Sequence, residues 1–159
     1  MTHTLSSTLG AEQQRRTTHR TQFLIQMRQI IPWTSLCALI EPHCREGLMS
    51  ARTMRIERML RIYFLQQWFG LSDAAAEESL IDSVAMCEFV GIDRHRDSIP
   101  NQNTIWRFRL LLEHHGLERQ LFSTISQQLK AAGLKLSLGT IVDASIVSAP
   151  SWMHRKDRS

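Results

Sequence analysis

The sequence predicts a mainly α-helical chain that ends in one or two β-strands. Through most of its length, apolar residues recur every three or four positions, which is the spacing of one face of an α-helix. After Gly133 the spacing shortens to two residues, which is typical of a strand. Glycine and proline stand where one helix would end and the next begin. We therefore expect a helical region at residues 21–133 and strands within residues 134–151.

The composition indicates a globular protein of the cytoplasm. The chain has 159 residues, of which 43% are hydrophobic, enough to build a core. No apolar run approaches the ~20 residues that span a bilayer, and the Thr/Ser-rich first ten residues lack the apolar core of a secretory signal. We expect no membrane partner. Cys37, Cys44 and Cys87 are odd in number and form no CxxC pair, which predicts neither a disulfide framework nor a zinc site.

The positive charge of the chain is concentrated in its first half. Residues 1–70 hold nine arginines, no lysine and four acids, whereas residues 71–140 hold seven basic and nine acidic residues. Arginine makes forked contacts with phosphate and guanine, so this distribution hints at a nucleic-acid partner. Residues 1–20 are read as a flexible basic arm, with an early helix or a solvated terminus as the alternatives.

Three helices are predicted in the first half. Residues 21–31 have the apolar spacing of an amphipathic helix that ends at Pro32, and residues 33–40 form a second short helix that stops at Pro42. A loop is expected at residues 43–51. The third helix covers residues 53–69, with an apolar face and with the arginines on the opposite arc. These are Arg55, Arg58 and Arg61, candidate DNA contacts whose alternative is a solvated surface.

Gly70 breaks the third helix, and a short helix follows at residues 74–82 after Ser72 and Asp73, which are good capping residues. A three-residue break between two helices resembles a helix-turn-helix, although most tight helical corners bind no DNA. Residues 89–99 are predicted to be a polar connector.

Two further helices are predicted at residues 104–115 and 117–132. The first follows a start signal at Asn101 and Asn103 and ends before Gly116. It carries Arg107 and Arg109 near its N-terminal half, where recognition helices read base edges. Either arginine could grip a guanine, or both could pair with Glu113 and with acids on neighbouring helices.

Asp143 lies inside an otherwise apolar, β-branched stretch at residues 140–147. A buried carboxylate is costly unless it is paired or binds a metal. Asp143 is therefore either a strand-end residue that faces solvent or a functional carboxylate.

Many short segments follow one another in the order and spacing of one known family. They are residues 32–33, 39–43, 57–68 (ERMLRIYFLQQW), 71–73, 77–78, 82–83, 89–91, 99–100, 104–109, 112–113, 115–117 and 139–144 (GTIVDA). Together they cover roughly residues 20–151 and resemble the N-terminal part of bacterial DDE transposases of the insertion-sequence-5 family.

The resemblance implies a helical region that binds the terminal inverted repeats of a transposable element as double-stranded DNA, followed by a catalytic domain of ribonuclease-H-like fold. In such a domain three carboxylates hold two Mg²⁺ ions that activate the attacking oxygen and stabilise the leaving one. By this resemblance Asp143 is the first catalytic carboxylate and the first metal ligand. The implied location is the bacterial nucleoid, and the oligomeric state is left open.

The chain also departs from the family. Only sixteen residues follow Asp143, and they include Asp157 but no glutamate. The second aspartate and the glutamate of the family's triad lie far downstream and are missing here, and residues 152–159 no longer resemble the family. Residue 101 is Asn where Asp is expected, and Asn still caps a helix. We expect a truncated or frameshifted chain that binds DNA, holds no metal tightly and does not transfer strands alone. The alternatives are a free-standing helix-turn-helix regulator and an inert product that folds poorly.

Overall fold

The computed structural model describes residues 17–44, 49–131, 136–137 and 140–141. Within them the chain is mainly helical, which confirms the predicted class. The α-helices are α1 (His19–Ile30), α2 (Trp33–Ile40), α3 (Met49–Phe69), α4 (Asp73–Asp82), α5 (Val84–Val90), α6 (Gln102–His114) and α7 (Leu117–Ala131), and a 3-10 turn (Glu41–His43) follows α2.

Two short strands follow the helices. β1 (Leu136–Ser137) pairs antiparallel with β2 (Thr140–Ile141), and Leu136 lies opposite Ile141. The pairing involves two residues from each strand, so the predicted ribonuclease-H-like sheet stays a prediction. Asp143, residues 1–16 of the predicted basic arm at residues 1–20, and the tail at residues 152–159 lie outside the described residues.

Side-chain caps begin the helices where the sequence predicted them. Ser72 Oγ accepts the Ala75 amide at 3.1 Å, and Asn101 Oδ1 accepts the Thr104 amide at 2.9 Å. Each cap satisfies one of the amides that a helix start leaves without a partner. Gly70 follows α3 with a φ of 64°, a left-handed conformation that glycine adopts without strain. This geometry makes the predicted break before α4.

Helix α3 is the central element and packs against α2, α4, α5 and α6. Every residue from Leu60 to Gln66 is buried, and so is Trp68. The sequence predicted an amphipathic helix, but the C-terminal half of α3 is surrounded by other helices. Ile62, Phe64 and Leu65 fill the side that was expected to face solvent.

An aromatic cluster joins α3 to its neighbours. Phe64 lies with its ring centre 5.8 Å from that of Trp33 and 5.4 Å from that of Trp68, which lies 5.6 Å from Phe89. Most of these contacts are edge-to-face, the favoured geometry of aromatic pairs. Because Phe64 is fully buried, truncating it to alanine should cost about 3–5 kcal/mol.

Two predicted boundaries are wrong. The loop predicted at residues 43–51 overlaps α3, which begins at Met49. The connector predicted at residues 89–99 overlaps α5, because Phe89 and Val90 belong to that helix and are buried. Gly91 then ends α5 in a left-handed conformation.

Cys37 and Cys87 are buried in the core, and Cys44 is partly buried. Burial raises the pKa of the Cys37 thiol to about 12, so this side chain is a small apolar core residue without nucleophilic character. Over the ranges that the structure describes, no group of His, Cys, Asp and Glu residues is arranged to hold a metal ion.

Among the described helices, none is by itself long and apolar enough to cross a membrane. Helices α1 and α2, taken together with the 3-10 turn, have the length and composition of a membrane span, but they are bent by 70° where they join. Their apolar residues Leu24, Met27, Leu36 and Ile40 belong to the protein core.

Candidate nucleic-acid interface

Arg55, Arg58 and Arg61 do not form one exposed basic face on α3. Arg55 is exposed and forms no ion pair with any other described residue. Arg58 is partly buried, and Arg61 is only 8% exposed. The prediction that all three lie on a solvent-facing arc is therefore wrong for Arg61, because α3 is enclosed from Leu60 onward.

All three nitrogens of the Arg61 guanidinium, and one of its faces, contact other groups of the protein. Its Nε donates to Oε1 of Glu57 at 3.1 Å, and its Nη2 forms an ion pair with the same oxygen. Its Nη1 donates to the carbonyl oxygen of Phe89 at 2.7 Å, and the group lies 4.6 Å from the ring centre of Trp33. Arg61 therefore ties α3 to α2 and α5, and a phosphate would have to compete with Glu57 and the Phe89 carbonyl for its hydrogen bonds.

Arg58 fastens the segment after α5 to α3. Its Nη2 donates to Oδ2 of Asp97 at 2.9 Å, and the backbone amide of Asp93 donates to the same oxygen at 2.9 Å. That amide, helped by Arg58, holds the pKa of the Asp97 carboxyl below its usual range. Arg58 thus has an acidic partner that a DNA phosphate would have to displace.

Arg109 of α6 is held by α4. Its Nε and Nη2 donate to the two carboxylate oxygens of Asp73 at 3.2 and 2.9 Å, and its Nη1 donates to Glu113 at 3.2 Å. Gln66 of α3 also donates to Asp73, at 2.8 Å. The bond from Arg109 holds the pKa of Asp73 below its usual range, and the same bond raises the pKa of Arg109. Arg109 therefore pairs with acidic residues, which the sequence analysis gave as the alternative to contact with DNA bases.

Arg107, two residues earlier, is exposed and forms no ion pair within the described part of the chain. Successive residues are ~100° apart around a helix, so Arg107 and Arg109 lie on nearly opposite sides of α6. The exposed side of α6 is named here the α6 outer face, and its residues follow helical spacing. They are Asn103, Trp106, Arg107, Leu110 and His114.

Two apolar side chains stand on the α6 outer face. Trp106 is 46% exposed and Leu110 is 37% exposed, and the two are one turn apart. An exposed tryptophan beside an arginine without an acidic partner is a surface suited to contacting nucleic-acid bases, by apolar contact and by forked hydrogen bonds.

The N-terminus of α6 is already capped by the protein. Asn101 accepts the Thr104 amide, and Oε2 of Glu77 on α4 accepts the Gln102 amide at 2.8 Å. Because a carboxylate lies at the position where a phosphate would bind, the end of this helix is not an anion site. Any contact between α6 and nucleic acid would therefore involve the side of the helix and not its N-terminal end.

Helix α4 is acidic along its whole length. It contains Asp73, Glu77, Glu78 and Asp82 and no basic residue. In a helix-turn-helix the helix after the turn enters the major groove. The charge of α4 opposes that placement, since its carboxylates would repel the phosphates on either side of the groove. The corner between α3 and α4 thus has the predicted break but not the charge of a recognition element.

Three histidines form a cluster that the sequence did not predict. His43 of the 3-10 turn contacts His115 at the end of α6, and His115 in turn contacts His114. These residues are distant in sequence, so only the packing of the turn against α6 brings them together. In the sequence, only the adjacent His114 and His115, a few residues after Arg107, could have indicated this cluster.

Comparison with known proteins identifies the family. A family model described as Transposase domain (DUF772) matches residues 11–110. The chain belongs to this transposase-domain family. In this transposase domain the matched residues extend from before α1 through most of α6 and include Trp106 and Arg107. No solved structure matches the chain.

Proposed function

We propose that this transposase domain binds double-stranded DNA at the ends of a transposable element, as the DNA-binding region of a DDE transposase of the insertion-sequence-5 family. The observation that carries the proposal is the α6 outer face. It presents Trp106 and Arg107 to solvent, and Arg107 has no acidic partner among the described residues. The other predicted contacts on α3 and α6, apart from Arg55, are already bound to carboxylates.

The chemistry of this face supports base contact in the major groove. The fork of an arginine matches the O6 and N7 acceptors of guanine, and such a pair gives about 1–3 kcal/mol of discrimination. Trp106 and Leu110 would contact thymine methyl groups or flanking sugars. Arg55 on α3, and Arg58 if Asp97 releases it, would add contacts with phosphates that fix position without reading sequence.

A free-standing helix-turn-helix regulator is the less favoured function. Such a protein would place the helix after the turn on DNA, and in this chain that helix is the acidic α4. The family match also supports a transposase and offers nothing for a regulator.

The test is a binding assay with duplexes tiled across the DNA that flanks the gene. Fluorescence anisotropy of the full chain should find one or more tiles that bind more tightly than scrambled duplexes of equal composition. Arg107→Ala should reduce that preference by about 5- to 100-fold, in line with the value of a forked guanine contact. Affinity for scrambled DNA should be largely kept.

Arg96→Ala is the matched control. Arg96 is 86% exposed and lies in the segment between α5 and α6, outside the α6 outer face, with only a loose contact of 3.8 Å to Asp93. This variant should keep the preference of the wild type. Equal preference in the wild type and in both Arg107→Ala and Trp106→Ala would exclude the α6 outer face from recognition.

Asp143 is proposed as the first carboxylate of the Mg²⁺ site of the intact transposase. Aspartate oxygen is a hard ligand of the kind that Mg²⁺ prefers. In a protein that supplies all three carboxylates, Asp143→Asn should abolish cleavage at the ends of the transposable element and leave binding to those ends intact. Cleavage that survives the change would contradict this role.

A further inference from the structure

The ring of His115 contacts the rings of both His43 and His114 where the 3-10 turn meets the end of α6. His43 and His115 stack with ring centres 4.3 Å apart and planes inclined by 33°. His114 meets His115 edge-on, with ring centres 4.9 Å apart. All three side chains are exposed. Three groups that can each gain a positive charge are therefore held together at the surface.

The cluster lines a groove of about 790 Å³ that is open to solvent. The remaining lining residues are Arg107, Leu110, Leu111 and Glu113. Glu113 shares Arg109 with Asp73, which takes two of the hydrogen bonds of that arginine, so the charge of Glu113 is only partly compensated. Glu113 therefore offsets part of the charge of Arg107 when the histidines are neutral, and protonation of the histidines adds up to three positive charges.

The position of His115 between the other two rings makes its protonation costly without an anion. Partial desolvation lowers the pKa of His115 below its ordinary 6.5, and the neighbouring His43 and His114 lower it further. Other charged groups lie on the segments that meet here. They are Glu41 on the turn, Arg107 and Glu113 on α6, and Glu118 and Arg119 at the start of α7, where Glu118 accepts a hydrogen bond from Tyr63.

We propose that this groove is a phosphate-binding site that protonation switches on, with the imidazolium rings of His43, His114 and His115 as its donors and the charge of Arg107 beside them. An imidazolium donates from both nitrogens, and hydrogen bonds between charged partners are the strong ones. The phosphate group belongs either to the DNA backbone or to a free anion. The backbone case rests on the proposed function, since Arg107 also lies on the α6 outer face.

The direction of the pH effect follows from linkage. An anion in the groove favours the protonated rings and therefore raises their pKa values. Equally, lowering the pH through those pKa values tightens the binding of the anion. A rise of about half a pH unit in one midpoint corresponds to about threefold tighter binding for that ring.

The first experiment uses inorganic sulfate, a tetrahedral dianion whose charge stays constant over this pH range. The histidine ring signals of the full chain are followed by NMR from pH 7.5 to 5, with and without sulfate. Sulfate should raise the midpoints of His43, His114 and His115 by about half a pH unit or more. His95, which is exposed in another segment, is the internal control and should shift less. Equal shifts at His95 and in the groove would overturn the proposal.

The second experiment uses duplex DNA and the variant in which all three histidines are glutamine. Wild-type binding should tighten between pH 7.5 and 5.5, and the dependence of log Kd on log salt should steepen by about 0.9 for each imidazolium that contacts a phosphate. The triple variant should lose this gain, and His95→Gln should keep it. The single variant His43→Gln, which removes one exposed ring, repeats the test with less change to the surface.

The outcomes separate the site from the proposed function. If sulfate raises the midpoints but no duplex binds at any pH, the groove holds a free phosphate-like anion and the proposed function fails. If duplexes bind with the same pH dependence in the wild type and the triple variant, and sulfate moves no midpoint, the groove is not a phosphate site and the proposed function stands.

Discussion

Arg61 and Arg109 lie within contacts between helices, whereas Arg55 and Arg107 lie on the surface of the same two helices. The enclosed pair is fastened to Glu57 and to Asp73. The exposed pair has no acidic partner among the described residues. The four residues are of one type on two helices, so the difference comes from packing alone. Arginine content by itself therefore says little about where DNA could bind.

The largest effect is expected for Arg61→Ala. The change leaves the Glu57 carboxylate and the Phe89 carbonyl without their donors and removes a guanidinium that stacks on Trp33. Glu57 is partly exposed and can recover some solvation. We therefore expect a loss of about 2–3 kcal/mol in the free energy of unfolding, somewhat below the usual cost of breaking a buried pair. Urea denaturation measures this, with Arg55→Ala as the matched control.

The control should change stability by less than about 0.5 kcal/mol, because Arg55 is exposed and has no described partner. Equal losses in the two variants would break the comparison between enclosed and exposed arginines.

A smaller effect is expected for Arg109→Ala. The forked contact with Asp73 joins α6 to α4, but the side chain of Arg109 is 32% exposed and water can replace part of the interaction. We expect a loss of about 1 kcal/mol. A double-mutant cycle with Asp73→Asn should attribute most of that loss to the pair, and strictly additive effects would show that the contact contributes nothing.

The contact with Asp73 also predicts a pH dependence. Because Arg109 lowers the pKa of Asp73 in the folded state, the contribution of the pair is present above the unfolded-state pKa of about 3.9 and is lost as the pH falls through the lower, folded-state value. The stability difference between the wild type and Asp73→Asn should therefore shrink on acidification below pH ~4. A difference that is constant from pH 7 to pH 3 would contradict this.

The smallest effect is expected for Arg55→Gln. If Arg55 contacts a phosphate, the slope of log Kd against log salt should fall by about 0.9 and all duplexes should be weakened alike. Arg61→Gln should leave the slope unchanged where the variant is folded. An unchanged slope for Arg55→Gln would show that Arg55 is a solvated surface residue that does not contact DNA.

Local signals predicted the helices with clear starts and stops. Helix α7 was found from Leu121, Ile125 and Leu129, which are all buried, and α6 from the cap at Asn101. Helix α5 was missed because its seven residues are too few to show a period. The burial of Arg61 was missed because one apolar face was assigned to a helix with apolar residues all round, at Ile62, Phe64 and Leu65.

The candidate site was predicted less well than the fold. Arg107 and Arg109 carry the same sequence signal, and only the position of Asp73 on a neighbouring helix distinguishes them. The histidine cluster depends on a contact between the turn after α2 and the end of α6, and no local pattern reports such a contact.

The most direct test compares Arg107→Gln with Arg109→Gln in the same two assays, urea denaturation and preference for tiled duplexes over scrambled ones. We expect Arg107→Gln to keep its stability within about 0.5 kcal/mol and to lose the preference. We expect Arg109→Gln to lose stability and, well below its unfolding temperature, to keep the preference. The reverse result, with recognition lost in Arg109→Gln and kept in Arg107→Gln, would contradict the assignment of the α6 outer face to DNA.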